Sequence, residues 1–490
     1  METVADRLLE TPITPALIDD LRSLLGEDGV LTARAQRFPY ESDGLAMLRV
    51  EADLVLLPRN TEETSRALRL LHAARVAVVP RGAGTGLTGG ATPVAGGAVV
   101  ATTRMRRVLE LDLEDGWARV EAGVVNVDLS AACAHGGRIY APDPSSQTAC
   151  TIGGNVANDS GGPHCFKYGS TTRHVLGLVL VQHDGEVLDL TGPAVEPFGF
   201  DLAGLIVGTE GTFGIVTEVT VALVPAPEHV RVLLGVFATL DDACDAVTDM
   251  IGAHVPASAI EILDRLTIEA VEASVFAAGY PTGAEAVLLV EVEGSEVEVA
   301  EASERVRELF RAHAALETRV ADDLERRQRL WAGRKGAFGA MGRIAPDLYV
   351  ADAVVPRTRL RELVRRTTEI CRERGLRLAN VFHAGDGNLH PNICYDRRDA
   401  AEVARVLDAG HEILKVCAAN GGSLTGEHGI GLEKQAELEL VFSPEDLAAM
   451  CAARDVFDPD RRMNPGKLVP ERACLETRTL PPPQLDSTTQ

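Results

Sequence analysis

The stretch Pro80-Arg81-Gly82-Ala83-Gly84-Thr85-Gly86-Leu87-Thr88-Gly89-Gly90 decides the fold. Its Gly84-x-Gly86-x-x-Gly89 spacing matches a dinucleotide fingerprint, but a Rossmann unit needs a helix opening directly after the glycines, so that the helix dipole meets the pyrophosphate. Here Gly89, Gly90, Pro93, Gly96 and Gly97 follow, and then the apolar run at 98–101. The order is strand, loop, strand, with the helix missing. Such a loop can still hold a pyrophosphate, because glycines let successive backbone N–H groups turn inward as a nest. A plain hairpin loop is the competing reading. Two further clusters favour the nest: Pro142-Asp143-Pro144-Ser145-Ser146 leading into Thr151-Ile152-Gly153-Gly154-Asn155 and on to Gly161-Gly162, and Gly208-Thr209-Glu210-Gly211-Thr212-Phe213-Gly214. Three glycine loops in one strand-rich region suggest one long ligand lying over backbone.

Outward from these loops, short apolar runs at 54–57, 76–79, 98–101, 119–121, 175–181 and 215–224 predict strands, and residues 62–74 predict a helix. Upstream, Leu8, Leu9, Leu17, Ile18, Leu21 and Leu24 form one helical stripe interrupted by Pro12 and Pro15. Pro225-Ala226-Pro227 reads as a boundary, beyond which strands at 232–237 and 286–292 alternate with helices at 298–314 and 357–374. The expected division is a helical segment at 1–45, a ligand-binding domain at 46–225, a second α+β domain at 226–470 and a polar tail at 471–490.

At 490 residues the chain exceeds what one core supports. Its 48 Lys plus Arg against 72 Asp plus Glu give a net charge of -24, which disfavours nucleic acid as a partner. Apolar runs fall short of the roughly 18 residues needed to span a bilayer, and the charged start lacks a signal-peptide core, so a soluble cytoplasmic protein is expected. Nine scattered cysteines, with no Cys-x-x-Cys pair, offer no site for an iron-sulfur cluster.

A third region carries chemistry. In Val381-Phe382-His383-Ala384-Gly385-Asp386-Gly387-Asn388-Leu389-His390, Asp386-Gly387 predicts a two-residue hairpin turn that sets His383 opposite His390. Directly opposed residues lie about 4.5–5.5 Å apart at Cβ, close enough for two imidazoles to share a cation. Glu427 or His428, in Gly426-Glu427-His428-Gly429, could complete the set. Neighbours in an extended segment point opposite ways, so one of the two is expected to ligate. Two histidines and a carboxylate also suit iron or a hydrolytic zinc.

The glycine segments at 80–90, 142–162 and 208–216 resemble the FAD-binding domain of the vanillyl-alcohol oxidase type flavoproteins. Residues 380–390, 426–431 and Asn464-Pro465-Gly466-Lys467 resemble their D-2-hydroxy acid dehydrogenase branch, and Leu330-Trp331-Ala332-Gly333-Arg334-Lys335 and 421–430 bring the resemblance nearest to the FAD-linked subunits of bacterial glycolate oxidases. The resemblance covers all but about the first forty and last fifteen residues. It implies an α+β protein, with an FAD-binding domain followed by a C-terminal substrate domain. Arg81, Gly82, Ala83, Gly84, Thr85, Gly86 and Leu87 would wrap the pyrophosphate. Pro142, Asp143, Ser146, Thr151, Gly153, Gly154, Asn155, Gly161 and Gly162 would line the ribityl chain and ring. Glu210, Gly211, Ile215 and Asn464 would serve the rest of the nucleotide. Relatives that bind flavin covalently often carry a histidine in or near these loops, and residues 82–90 contain none, so dissociable FAD is expected.

The resemblance also assigns His383, His390 and Glu427 to a divalent metal, zinc or manganese, and leaves His428 as the base. Arg334 would take the substrate carboxylate, with Asn388 also at the substrate. A guanidinium fork grips a carboxylate in a way lysine cannot, while Lys335 and Arg343 read as surface charges. Tyr349 stands where 2-hydroxyglutarate enzymes carry a lysine for a second carboxylate, which favours a small monoacid. The expected reaction is oxidation of glycolate or D-lactate to the 2-oxo acid, with electrons leaving through iron-sulfur and second flavin-type subunits toward membrane quinone. Peripheral membrane association through those partners and a homodimer are compatible with this. The alternatives are a D-2-hydroxyglutarate dehydrogenase, an alkylglycerone-phosphate synthase-like flavin transferase and a non-catalytic flavin subunit.

Overall fold

The computed structural model describes residues 13–192 and 199–470, so Leu8, Leu9 and the expected tail at 471–490 lie outside the described residues. The chain divides into two compact units. One comprises Met1–Ser160, Ser170–Pro225 and Glu427–Gln490, and the other Gly161–Gly169 and Ala226–Gly426. One break in this division follows Pro225. The N-terminal helix and the chain beyond Gly426 fall in the first unit, and Gly161–Gly169 falls in the second.

In the first unit, α1 (Pro15–Leu25) begins at Thr14, whose hydroxyl accepts from the Leu17 N–H at 3.2 Å, and it buries Leu17, Leu21 and Leu25. Strands β1 (Val30–Leu31), β2 (Leu54–Leu56), β3 (Val78–Arg81) and β4 (Ala98–Ala101) form a sheet in the order β1-β2-β4-β3, with β4 parallel to both β2 and β3. Between β2 and β3 runs α2 (Thr61–Ala73), capped by Asn60. Residues 82–97 join β3 to β4 without a helix, as the glycines predict. The hairpin reading fails, because a hairpin joins antiparallel strands and these run parallel.

A second sheet contains β5 (Val108–Asp112), β6 (Trp117–Glu121), β7 (Val175–Val181), β8 (Val187–Asp189) and β9 (Ile215–Ala222), ordered β5-β6-β9-β7-β8 and antiparallel throughout. Against it packs the short α3 (Ile152–Asn158), whose Ile152 and Val156 meet Val120, Leu178 and Val219. The sequence treated 151–158 as loop. Thr151 starts a helix there instead, its hydroxyl accepting from Gly154 N at 3.3 Å.

The second unit is built on one antiparallel sheet. Its strands are β10 (His229–Phe237), β11 (Ala257–Asp264), β12 (Ala286–Gly294), β13 (Glu317–Ala321), β14 (Asp347–Val350), β15 (Ala353–Val354), β16 (Arg377–His383), β17 (Asn388–Leu389) and β18 (Pro391–Tyr395). The order is β13-β10-β12-β11-β16-β17-β15, with β18 paired to β16 and β14. Helix α4 (Leu324–Met341) buries Ala337, Ala340 and Met341 against Leu263, Val287 and Leu289 of the sheet. Its glycines are close-packing positions, since Gly333 admits Tyr280 and Gly336 admits Phe276. That accounts for a Gly/Ala-rich stretch within a continuous helix.

Candidate functional site

The predicted FAD-binding residues of the first unit fall into three kinds. Some hold the loop together. Arg81 ends β3 and is buried, and its guanidinium donates to the carbonyls of Ser42 at 2.9 Å and Ala91 at 3.3 Å while lying over the Tyr40 ring. Gly84 has φ +74°, and a Cβ there would fall on that guanidinium. Others are packed against the sheet: a Cβ on Gly153 would come 2.6 Å from Ala122 Cβ, and Ile215 is a core residue paired with Val181. Pro142 is fastened through its carbonyl by Asn126 Nδ2 at 3.0 Å. The third kind is uncrowded. Gly86 has no positive φ, and its Cβ would meet nothing nearer than 3.9 Å. Neither backbone strain nor crowding calls for glycine at that position, which suits a ligand lying against the backbone. The loop therefore fits the flavin nucleotide that the sequence implies. Gly161 and Gly162 lie in the segment that joins the second unit.

Glu210 and Asn464, expected to serve the rest of the nucleotide, are tied into the protein by internal hydrogen bonds. Glu210, at φ +50° and buried, accepts from Ile430 N at 2.7 Å and Gly431 N at 2.8 Å. Burial pushes its carboxyl up to about 7, against the pull of those two N–H groups, Lys467 and Lys434. Asn464 Nδ2 donates to the carbonyls of Gly90 at 3.0 Å and Glu210 at 2.7 Å. Lys467 reaches Gly90 O at 3.0 Å, Asn464 Oδ1 at 2.8 Å and Thr92 O, and burial lowers it to about 7. These side chains seam the C-terminal segment onto the glycine loop.

The same seam carries His428. Its carbonyl accepts from Asn158 Nδ2 at 2.9 Å and Thr88 Oγ1 at 3.3 Å. The candidate base is thus pinned to two of the predicted flavin segments. Glu427 and His428 lie in a bend, with Glu427 Oε1 3.9 Å from His428 Nε2. The expectation that they point opposite ways rested on an extended segment and does not hold.

In the second unit the hairpin register differs from the predicted one. His383 pairs with Asn388, not His390, because the turn takes four residues, 384–387, with Asp386 Oδ1 accepting from Asn388 N at 3.0 Å. A slip of two keeps every side chain on its face. His383 and His390 therefore still share one face, with ring centroids 5.1 Å apart.

Around them lies a buried polar cluster. Glu261 on β11 is the direct cross-strand partner of His383. One of its carboxylate oxygens lies 2.7 Å from His383 Nδ1, and the other accepts from Arg334 Nε at 2.6 Å. Burial alone would raise the Glu261 carboxyl, but Arg334 and His383 hold it below the usual carboxylate range. Arg334 Nη2 is also 3.3 Å from His383 Nδ1. One ring nitrogen cannot both accept from Arg334 and donate to Glu261, and the shorter, charged contact makes Nδ1 a donor to Glu261. Arg334 is 0% exposed and its Nη1 has no partner, an orphaned donor. Asn388 is buried with its Oδ1 unpartnered, and Gly426 gives its carboxamide room. His390 Nδ1 is 3.6 Å from Asp352 Oδ1, while Asp352 Oδ2 accepts from Gly426 N at 3.0 Å. The His383 imidazole, held at Nδ1 by Glu261, turns Nε2 to ligation, and His390 shares its face, a fit to the implied metal site. Tyr349 is buried, its hydroxyl packed near Gly410. Arg343 is exposed and Lys335 half-buried.

Glu261, Asp352 and Lys467 were not assigned roles from sequence. The signal for Glu261 is a carboxylate inside Ala257-Ser258-Ala259-Ile260-Glu261-Ile262-Leu263, a strand buried at every position, where an acid needs a partner.

Residues 226–468 match the family model for the C-terminal domain of FAD linked oxidases, and residues 52–191 match the model for an FAD binding domain. The chain is 44% identical to glycolate oxidase subunit GlcD of Escherichia coli K12, over 91% of this chain and 90% of that one. It is 30% identical to a D-lactate dehydrogenase of Anaerostipes hadrus, over 93% of this chain and 98% of that one. The structure of p-cresol methylhydroxylase with substrate bound superposes with a TM-score of 0.77 at 16% identity, covering 93% of this chain and 96% of that one. The fold is that of the vanillyl-alcohol oxidase type, an FAD-binding domain with a C-terminal α+β domain, and the chain belongs to the FAD-linked oxidase family.

Proposed function

We propose that the protein oxidises a small 2-hydroxy acid, glycolate or D-lactate, to the 2-oxo acid with dissociable FAD. The observation that carries this is the seam that pins the His428 carbonyl to Thr88 and Asn158, holding the candidate base at the predicted flavin segments. Arg334 receives the substrate carboxylate end-on through Nη1 and Nη2, since Nε is committed to Glu261. Asn388, whose Oδ1 has no partner, is a further polar contact for the substrate. The His428 imidazole takes the hydroxyl proton as general base. Bound FAD supplies the acceptor for the C2 hydride. His383, His390 and Glu427 would hold a zinc or manganese ion, which would supply Lewis acidity toward the substrate hydroxyl.

The absence of a lysine at Tyr349 favours a monoacid over 2-hydroxyglutarate. Electrons leave through partner subunits, one with iron-sulfur clusters and one of flavin type, on the cytoplasmic side of a membrane. Among the described residues no helix is long and apolar enough to cross a membrane. The test is anaerobic: the purified yellow protein, mixed with glycolate, D-lactate, L-lactate and D-2-hydroxyglutarate in turn, is bleached by a small 2-hydroxy acid and turns over with an artificial dye but scarcely with NAD or air. A flavin that none of them bleaches refutes the reaction, and fast oxygen-driven turnover refutes the partner.

A further inference from the structure

We infer that Glu261 is a positioning residue that ties the metal ligand His383 to the substrate arginine Arg334, so that metal binding and carboxylate binding are set by one side chain; the inference rests on the metal reading proposed above. Three observations support it. Glu261 and His383 are directly opposed on neighbouring antiparallel strands, so the sheet register, not a flexible loop, fixes their approach. The two carboxylate oxygens are divided, one to His383 Nδ1 at 2.7 Å and one to Arg334 Nε at 2.6 Å. Both Glu261 and Arg334 are 0% exposed, and His383 only 2%, so water cannot substitute for a lost contact.

The chemistry follows from which atoms are left over. With Nδ1–H held by Glu261, the His383 ring is in the tautomer that carries its lone pair on Nε2, the form able to ligate a cation. With Nε held by the same carboxylate, Arg334 is left with Nη1 as an unmatched donor. A glutamine at 261 has one acceptor and one donor where two acceptors are needed. If its oxygen stays on Arg334, its NH2 faces His383 Nδ1 and favours the tautomer protonated at Nε2, which cannot ligate. If it turns over, Arg334 loses its anchor. Either way the two functions are disturbed by a single change distant from the solvent.

The experiment uses the full-length FAD-loaded protein, stripped of metal by chelator and titrated with Mn²⁺ or Zn²⁺ by calorimetry, followed by steady-state kinetics with dye. Glu261→Gln is expected to weaken metal binding about 10–100-fold and to raise KM for the 2-hydroxy acid, with flavin content unchanged. Asp264→Asn, on the same strand, is the comparison. Asp264 is buried and accepts from Thr267 N at 3.0 Å and Asn380 N at 2.7 Å, so its loss lowers the melting temperature but leaves metal affinity within about twofold of wild type, as expected for a change that only weakens packing. If Glu261→Gln does not fold, Glu261→Asp, one methylene shorter, is expected to show the same weakening. Wild type that binds metal, with the Glu261 variants binding equally well, overturns the inference alone. Wild type that takes up no metal overturns both the inference and the metal reading.

Discussion

Arg334→Met removes one member of a fully buried ion pair and leaves the Glu261 carboxylate beside apolar neighbours. Breaking such a pair from one side costs about 3–5 kcal/mol, because the remaining charge is desolvated without compensation. His383, 2.7 Å from the other carboxylate oxygen, retains part of the compensation, which puts the expectation near the lower end, about 3 kcal/mol. For a unit of this size, each kcal/mol shifts the melting transition by about 2–4 °C, so the drop should be about 6–12 °C. The double variant Arg334→Met/Glu261→Met removes both charges and should recover most of that loss, to within about 1–2 kcal/mol of wild type. Neither variant should oxidise substrate. Trp331, whose indole donates to Glu291 at 2.6 Å, reports on the second unit in a Trp117→Phe background, and flavin fluorescence reports on the first. A single variant that melts like wild type, or a double variant no more stable than the single, refutes the claim that Arg334 compensates Glu261.

Gly86→Val should leave thermal stability within about 0.5 kcal/mol of wild type yet lower FAD loading, whereas Gly153→Ala, forced against Ala122, should destabilise the first unit by about 1–3 kcal/mol; loading and melting of each variant are read by flavin absorbance and calorimetry. Glu210 titrates near 7 when folded and near the ordinary 4.5 when unfolded, so the folded form keeps a proton that the unfolded form has lost. Its contribution is full below about pH 4.5 and is lost as pH rises through about 7, and Glu210→Gln should flatten that slope in urea melts of the first unit between pH 5 and 7. Lys467 runs oppositely, since the unfolded chain binds the extra proton between about 7 and 10.5, so stability rises with pH across that interval and Lys467→Met should remove the rise.

Much of the architecture was legible because it depends on local rules. Runs of β-branched residues gave the strands at 98–101 and 175–181 with their observed bounds, and the glycines after Gly89 correctly excluded a helix. The hairpin failed in register but kept both histidines on one face, because an Asx turn at Asp386 lengthened the loop by two residues and a two-residue shift preserves the face. What stayed hidden depends on distant pairing. Glu261 becomes a functional candidate only when β11 pairs with β16, 122 positions further along the chain. Likewise the Asn464 to Lys467 motif shows that it matters but not that it closes on Gly90, more than 370 residues upstream.

That closure also bears on how the protein is made. Met463 forms a parallel bridge with Val78, and Asn464 and Lys467 grip the loop that opens at Gly82. A ribosome adding about 5–20 residues per second therefore releases the first sheet long before the piece that completes it is synthesised. The early strands wait, through the synthesis of the entire second unit, for the last described turn of the chain. A chain cut short before Met463 lacks the clasp over its glycine loop. Only a chain that reaches Lys467 carries the whole clasp.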